Sequence, residues 1–385
     1  FCFSSSAAPG ATPGGDTGGN VLWEPRMIVP LQHPQPNYDR FLRAVMRDGP
    51  TDRLAAGEQH TDPEIIAAVL GKPPAREPAA ATSARQGWDP ADHVEFQGRM
   101  GYDYVNVLVV PAGNLFGDEH QKTAGTRTYV NEQSGPVQNW ADFERFQWPR
   151  AADLDLSAFD AYRRLLPAGM GMNAFVSCGY FAKVTWTVGL QPFCYLLVDD
   201  RPLVKAIFAK WAEWVLGTAE RCMAVEGVGA FWMSDDLGFN SGPFLRPDDL
   251  REFVFPVYAE LGRMCRAHDL PFVLHSCGNL NSILADIAEC GVNCLHSLPP
   301  GLYDLAGLKR DWGRRMSFSG NIDLNILGLG TAEQTRQAVR RVKAVWAAEP
   351  AGGILLSSSN SIADYVKVDN YLAMMDEMMR PDART

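Results

Sequence analysis

"DLPFVLHSCGNLNSIL", Asp269 to Leu284, runs from an apolar stretch into His275 and Cys277, then into a Gly-Asn turn and a second apolar stretch. A short apolar run of this kind, bounded by turn residues, reads as a strand buried on both faces that ends in polar side chains. Working outward in both directions, the same pattern recurs: "DRLAAGE" (52–58), "DYVNVLVV" (103–110), "NAFVSCGY" (173–180), "GAFWMSDD" (229–236), "PFVLHSCG" (271–278), "VNCLHSL" (292–298), "RMSFSGNI" (315–322) and "GGILLSSSN" (352–360). Long amphipathic stretches separate them, such as "RPLVKAIFAKWAEWVLGTAERCMAVEG" before the fourth and "RPDDLREFVFPVYAELGRMCRAHD" before the fifth. Strands alternating with helices imply a parallel sheet with crossover connections, and a single (β/α)8 TIM barrel is the arrangement that uses all eight. The segment from 111 to 150 is longer than a usual strand-to-helix connection, so we read it as an excursion between strands 2 and 3, a hairpin over the barrel mouth.

A chain of 385 residues, 46% hydrophobic, is long enough to bury one such barrel in a single core. Its 35 basic and 45 acidic residues leave a net charge of −10, which argues against a nucleic-acid partner. No apolar run is long enough to span a membrane, and the sequence reads as cytoplasmic. Eight cysteines without close regular spacing predict reduced thiols, with Cys194, Cys222, Cys265, Cys290 and Cys294 serving as packing residues. The Ser/Gly/Pro-rich residues 1–26 are expected to be a disordered extension, leaving 27–385 as the barrel.

In a TIM barrel the active site lies at the C-terminal ends of the strands. The residues converging there are Glu58 and His60 after the first strand, Asp235 and Asp236 at the fourth, His275 and Cys277 at the fifth, His296 at the sixth, Asn321 and Asp323 at the seventh, and Asn360 at the eighth. Strand side chains alternate, so His275 and Cys277 share a face. If that face is inward, an imidazole and a thiolate meet at the mouth, a pairing that suits a borderline-soft ion such as zinc. The rival reading is a strand-end histidine bonded to backbone beside a packed thiol. By the same alternation only one of Asp235 and Asp236 faces inward; the pair reads either as a helix cap or a hydrogen bond holding a loop, or as a ligand, an orienter of His275 or an acid. Tyr180, Phe181, Trp186, Trp232, Phe239 and Phe244 are candidate walls of an apolar substrate pocket, Tyr180 and Phe239 foremost.

"LHSCGN", "MSDDLGFNSGPFLRPDDLREFVFP", "FSGNIDLNIL", "GGILLSSSNSI" with "VDNYLAMMDE", and the early "NYDRFLRAVMRDGPTDRL" together resemble the uroporphyrinogen decarboxylase superfamily over roughly residues 37–380. The resemblance implies a (β/α)8 barrel, in a group made up mainly of porphyrinogen decarboxylases and of zinc-dependent methyltransferases that work with corrinoid proteins. For the decarboxylases it implies a basic loop near the N-terminus. This chain has "RLAAGEQHTDPEII" there, with Glu58 and His60, an acidic setting for a substrate bearing many carboxylates. For the methyltransferases it implies zinc held by a His-x-Cys pair, matching His275 and Cys277, plus a cysteine near the eighth strand. "LLSSSNSI" has no cysteine, so either the third ligand comes from Glu58, Asp235, Asp236 or His296, or the metal is absent.

The expectation is therefore a demethylase-type methyltransferase that moves a methyl group from a small donor, such as a methoxy compound, to a corrinoid on a partner protein. His275 and Cys277 hold zinc; Asp235, Asp236 and His275 are the catalytic candidates. Glu58, His60, Tyr180, Phe239, His296, Asn321 and Asn360 are the substrate-binding candidates. The alternative is a decarboxylase of a porphyrinogen-like or other carboxylated substrate on the same barrel.

Overall fold

The computed structural model describes residues 27–73, 88–111, 115, 121–124, 127–130, 133–348 and 353–381; the expectation for residues 1–26 lies outside them. Eight parallel strands carry the fold: β1 (Ala55–Ala56), β2 (Tyr104–Val109), β3 (Gly171–Val176), β4 (Val228–Ser234), β5 (Phe272–His275), β6 (Cys294–His296), β7 (Ser317–Ile322) and β8 (Ile354–Ser358). They pair in the order β1-β8-β7-β6-β5-β4-β3-β2, each with its neighbour in sequence apart from the return of β8 to β1. This is the curled sheet of a (β/α)8 fold, with helices around it. The unbroken apolar runs exist because both faces are covered; every residue of β2 is buried.

β1 is only two residues long and joins β8 through Ala55 opposite Leu355 and Ala56 opposite Leu356. At the seam between β1 and β2, side chains of β2 hold the segment leaving β1: Tyr104 Oη donates to the Glu58 carbonyl at 2.6 Å and Asn106 Nδ2 to that of Gln59 at 2.8 Å. Gly57 is required at this bend, since a Cβ there would lie 2.1 Å from Ser319 Oγ. The expected excursion between β2 and β3 contains an antiparallel hairpin, Gln121–Ala124 with Arg127–Val130.

Local chemistry sets the helix ends. Asp200 caps Arg201–Met223 by accepting from Leu203 N, with proline in the first turn. The long amphipathic stretch before β5 divides into Pro247–Phe253 and Phe255–Ala267, because Pro256 cannot continue the first helix. Among the described residues no helix is long and apolar enough to cross a membrane. Cys222, Cys265, Cys290 and Cys294 are buried as expected, whereas Cys194 is exposed on helix Leu190–Asp199, which buries only Phe193.

The helix Tyr38–Met46 plugs the N-terminal end of the barrel. Tyr38 lies against Gly171 and Gly229, where a Cβ would fall 2.3 and 2.4 Å from its ring, and its hydroxyl donates to Asn173 Oδ1 at 2.6 Å. Phe41 inserts behind it, with ring centroids 4.4 Å from Tyr104 and 6.3 Å from Trp232. Arg40 ties the plug to Asp103 and Asp52, each at 2.6 Å. Phe41→Ala should cost about 3–5 kcal/mol through the cavity it leaves, seen in urea titrations as a lower midpoint with an unchanged slope.

Candidate metal centre at the barrel mouth

The parallel register aligns the ends of three neighbouring strands. Ser234 is level with His275, and His275 with His296. Two backbone bonds carry this alignment past the strands, Asp235 N to the His275 carbonyl at 2.8 Å and Ser276 N to that of His296 at 2.7 Å. Gly278, at φ +93°, then turns the chain beneath a small hairpin of Gly238–Phe239 and Gly242–Pro243; a Cβ there would lie 2.2 Å from the Gly238 backbone.

Inside this turn His275, Cys277 and Asp236 meet. One ligand atom from each falls within 4.8 Å of the others. His275 Nε2 is 3.5 Å from Cys277 Sγ and 3.5 Å from Asp236 Oδ1. A tetrahedral zinc with bonds of about 2.0–2.3 Å has ligand-to-ligand edges of roughly 3.3–3.8 Å, so the spacing and the donor set of one nitrogen, one sulfur and one carboxylate oxygen fit that ion. Asp236 Oδ1 also accepts from Cys277 N at 2.9 Å. Burial opposes ionisation of Asp236, but His275 and the Cys277 amide outweigh it and hold the carboxyl below the usual range.

Asp235 goes elsewhere. It is fully buried and accepts from Tyr180 N, Phe181 N and Ala182 N at 3.0, 2.8 and 2.8 Å and from Tyr258 Oη at 2.7 Å. Burial pushes its carboxyl up, against these four donors. Its acceptor capacity is spent on the first turn of helix Tyr180–Val188 and on Tyr258, while Asp236 is the aspartate that lies beside His275 and Cys277.

The ring of Tyr180 is buried against Phe208 and its hydroxyl donates to the Phe208 carbonyl at 3.1 Å. Phe181 is likewise buried, and Trp186 is half-buried on the same helix. Trp232 fills the barrel interior below His296, with ring centroids 5.7 Å apart. Phe239 is 41% exposed and packs on Phe244 at 4.2 Å, so these two remain as a rim. His60 stacks on Trp88 and pairs with Asp62 at 3.1 Å. Asn321 is half-buried at the end of β7, and Asp323 caps the next helix by accepting from Asn325 N at 2.8 Å.

Behind the cluster lies a buried polar layer. His275 Nδ1 is 2.6 Å from His296 Nδ1, and His296 Nε2 is 3.9 Å from Glu58 Oε1. His296 and Glu58 are buried, 0% and 2% exposed, so neither reaches the open mouth as a substrate contact. Burial, with His275 close by, drives His296 well below its ordinary value, favouring the neutral ring. Glu58 accepts from Ser358 N at 2.9 Å and Gln59 N at 3.2 Å, yet burial pushes its carboxyl up to about 7. Gln59, not singled out in the sequence, places Nε2 3.3 Å from His275 Nε2. The polar run after β1 was its only signal.

The family model for uroporphyrinogen decarboxylase matches residues 136–380. The chain belongs to the uroporphyrinogen decarboxylase family. Among solved structures it is similar in fold to a methyltransferase from Methanosarcina mazei, at 18% identity and a TM-score of 0.64 over 89% of this chain and 98% of that one. No curated protein matches it by sequence. In this family member Asn360, at the end of the eighth-strand segment that lacks a cysteine, donates Nδ2 to Cys277 Sγ at 3.1 Å.

Two consequences are measurable. Asp235→Ala orphans three helix N–H groups and a tyrosine hydroxyl and should cost about 3–5 kcal/mol, whereas Asp236→Ala should stay within about 1 kcal/mol of wild type in the same metal-free unfolding titration. Glu58 holds a proton in the folded chain up to about pH 7, whereas its ordinary value is 4.5. Its stabilising effect is therefore complete below the ordinary value and lost as pH rises through the folded one. Glu58→Gln removes that slope, so the metal-free variant should gain on wild type by roughly 3 kcal/mol between pH 5 and pH 8.

Proposed function

We propose that this chain is a methyltransferase that takes a methyl group from a small methylated donor, a methoxy compound, and passes it to a corrinoid on a partner protein, assisted by zinc on His275, Cys277 and Asp236. The observation that carries the reading is the spacing of those three donor atoms, two edges of 3.5 Å at the open end of the barrel. The family match and the fold likeness to a methyltransferase support the reaction class.

Asp236 takes the place that a second cysteine has in the methyltransferase pattern the sequence resembles. Zinc in a set with a single thiolate supplies Lewis acidity toward the ether oxygen of a bound donor. His275 contributes a nitrogen without charge, Cys277 and Asp236 contribute the two negative charges, and the Asn360 amide holds the sulfur in place. Phe239 and Phe244 give the donor an apolar edge to rest on. A reduced corrinoid on the partner would supply the two-electron nucleophile that takes the methyl group as a cation equivalent. The C–O bonding pair stays on the donor oxygen, which ends as a hydroxyl after taking a proton from water. Neither aspartate is assigned the role of acid, since Asp235 is committed to a helix end and Asp236 is held as the anion.

The purified protein should carry about one zinc per chain. With reduced corrinoid protein and a panel of methoxyaromatics and methylamines it should form methylcobalamin. His275→Ala, Cys277→Ser and Asp236→Ala should each lose metal and activity at unchanged far-ultraviolet circular dichroism. Stoichiometric zinc in all three variants sinks the centre. Turnover without cobalamin points to a lyase, and decarboxylation of a porphyrinogen with neither metal nor corrinoid present establishes the decarboxylase alternative instead.

A further inference from the structure

We propose that Asn321 selects the methyl donor: its side-chain amide, near the end of β7, hydrogen-bonds a neutral hydroxyl group on the ring of a methoxy compound, across the mouth from His275, Cys277 and Asp236. This deepens the methyltransferase reading by naming the donor as a methoxyphenol, and rests on that reading for the fate of the methyl group alone.

The sheet register sets Asn321 at the height of the cluster. Ser319 is level with His296, and His296 with His275. Two residues further on, β7 brings Asn321 to the height at which Cys277 follows β5. With β6 between them, the two backbones stand two strand spacings apart, roughly 9–10 Å along the sheet. Side chains leaning in from both strands narrow that to the width of one substituted aromatic ring. Helices Leu305–Trp312 and Ala332–Ala347 pack against β7 from outside, and Gly320 and Ile322, the strand neighbours of Asn321, are buried. A half-exposed side chain at this end of the strand therefore opens on the mouth.

Asn321 differs from its surroundings in being uncommitted. Among the described residues its side chain makes no hydrogen bond. Other amides at the mouth are engaged, Asn360 with Cys277 Sγ at 3.1 Å and Gln59 Nε2 with His275 Nε2 at 3.3 Å. The hydroxyls are engaged too: Ser297 donates to the Ser359 carbonyl, while Ser276 and Ser359 accept from Leu237 N and Leu324 N. Polar groups within a fold normally find internal partners, so an amide left open here offers its donor and acceptor to a ligand. The charge of the mouth narrows what that ligand presents. The three residues after each strand include Glu58, Asp235, Asp236 and Asp323 but no lysine or arginine, so a donor bearing a carboxylate meets acidic side chains without a counter-charge. A hydroxyl suits a neutral amide, giving its hydrogen to Oδ1 or accepting one from Nδ2. Phe239 and Phe244 supply the apolar edge for the ring itself.

The test measures binding apart from turnover. Calorimetric titration of the purified protein with para-methoxyphenol, methoxybenzene and para-methoxybenzoate should rank the phenol first, about 5–10-fold ahead of methoxybenzene, the effect of one hydrogen bond at a part-exposed site. Asn321→Leu, which keeps the bulk without the amide, should bind the phenol and methoxybenzene alike. Asn321→Asp, whose side chain still accepts from a hydroxyl, should restore the preference for the phenol over methoxybenzene. An unchanged preference in folded Asn321→Leu overturns the inference, and should that variant not fold, Asn321→Ala carries the same prediction. Wild-type protein that binds none of the three, binds the phenol and methoxybenzene equally, or binds the benzoate tightest overturns it as well. Failure of the wider reading looks different: the phenol is bound through Asn321, yet no methylcobalamin forms with reduced corrinoid protein. Methylcobalamin formed from the phenol with the same KM by wild type and Asn321→Leu keeps the methyltransferase and sinks the selector.

Discussion

The rest of the mouth depends on the in-register parallel pairing of β4, β5 and β6, which sets Ser234, His275 and His296 at one height. Each strand then breaks off within a residue or two, so the side chains that follow are delivered by loops whose first hydrogen bonds still obey the sheet. Asp236, Cys277 and the two histidines converge because these loops begin level with one another. A slip of one residue between β5 and β6 would turn one imidazole outward and dissolve both the donor cluster and the layer behind it.

The barrel was legible because strands covered on both faces leave unbroken apolar runs, although β1, two alanines within "DRLAAGE", left only a weak one. The pair His275 and Cys277 was legible for a related reason: alternation extends just far enough past β5 to keep them on one side. Alternation also said that Asp235 and Asp236 must diverge, but not which of them turns inward, since that is decided by a helix start some 50 residues earlier in the chain, at Tyr180 to Ala182. Gln59 escaped because β1 ends at Ala56, and after Gly57 the backbone no longer follows a strand's two-residue period. Glu58 and His60 were singled out as titratable residues past the strand end, and it is the uncharged residue between them that reaches His275.

Adjacent aspartates thus live under opposite electrostatics. Asp235 is surrounded by donors from a helix N-terminus, where peptide dipoles favour an anion, and it joins that helix to β4 and to Tyr258. Asp236 has a histidine, a backbone amide and open solvent at its side, with 46% of its side chain exposed. One carboxylate is consumed in building the wall and the other is left over for chemistry. The same division runs through the aromatics, of which Trp232, Tyr180 and Phe181 build the interior while Phe239 and Phe244 reach the rim.

The plug formed by Tyr38 and Phe41 shuts the far end of the barrel. With the base stoppered, the described residues leave the opposite end as the way in and out for a small molecule, and on the proposed reading that same end is where a large acceptor would lean in. Traffic through it would then be sequential on that reading, with the small reactant seated before the acceptor covers the opening and its remnant held until the acceptor withdraws. The order of events in a catalytic cycle would then be written into the architecture at the end of the molecule farthest from the reacting atoms.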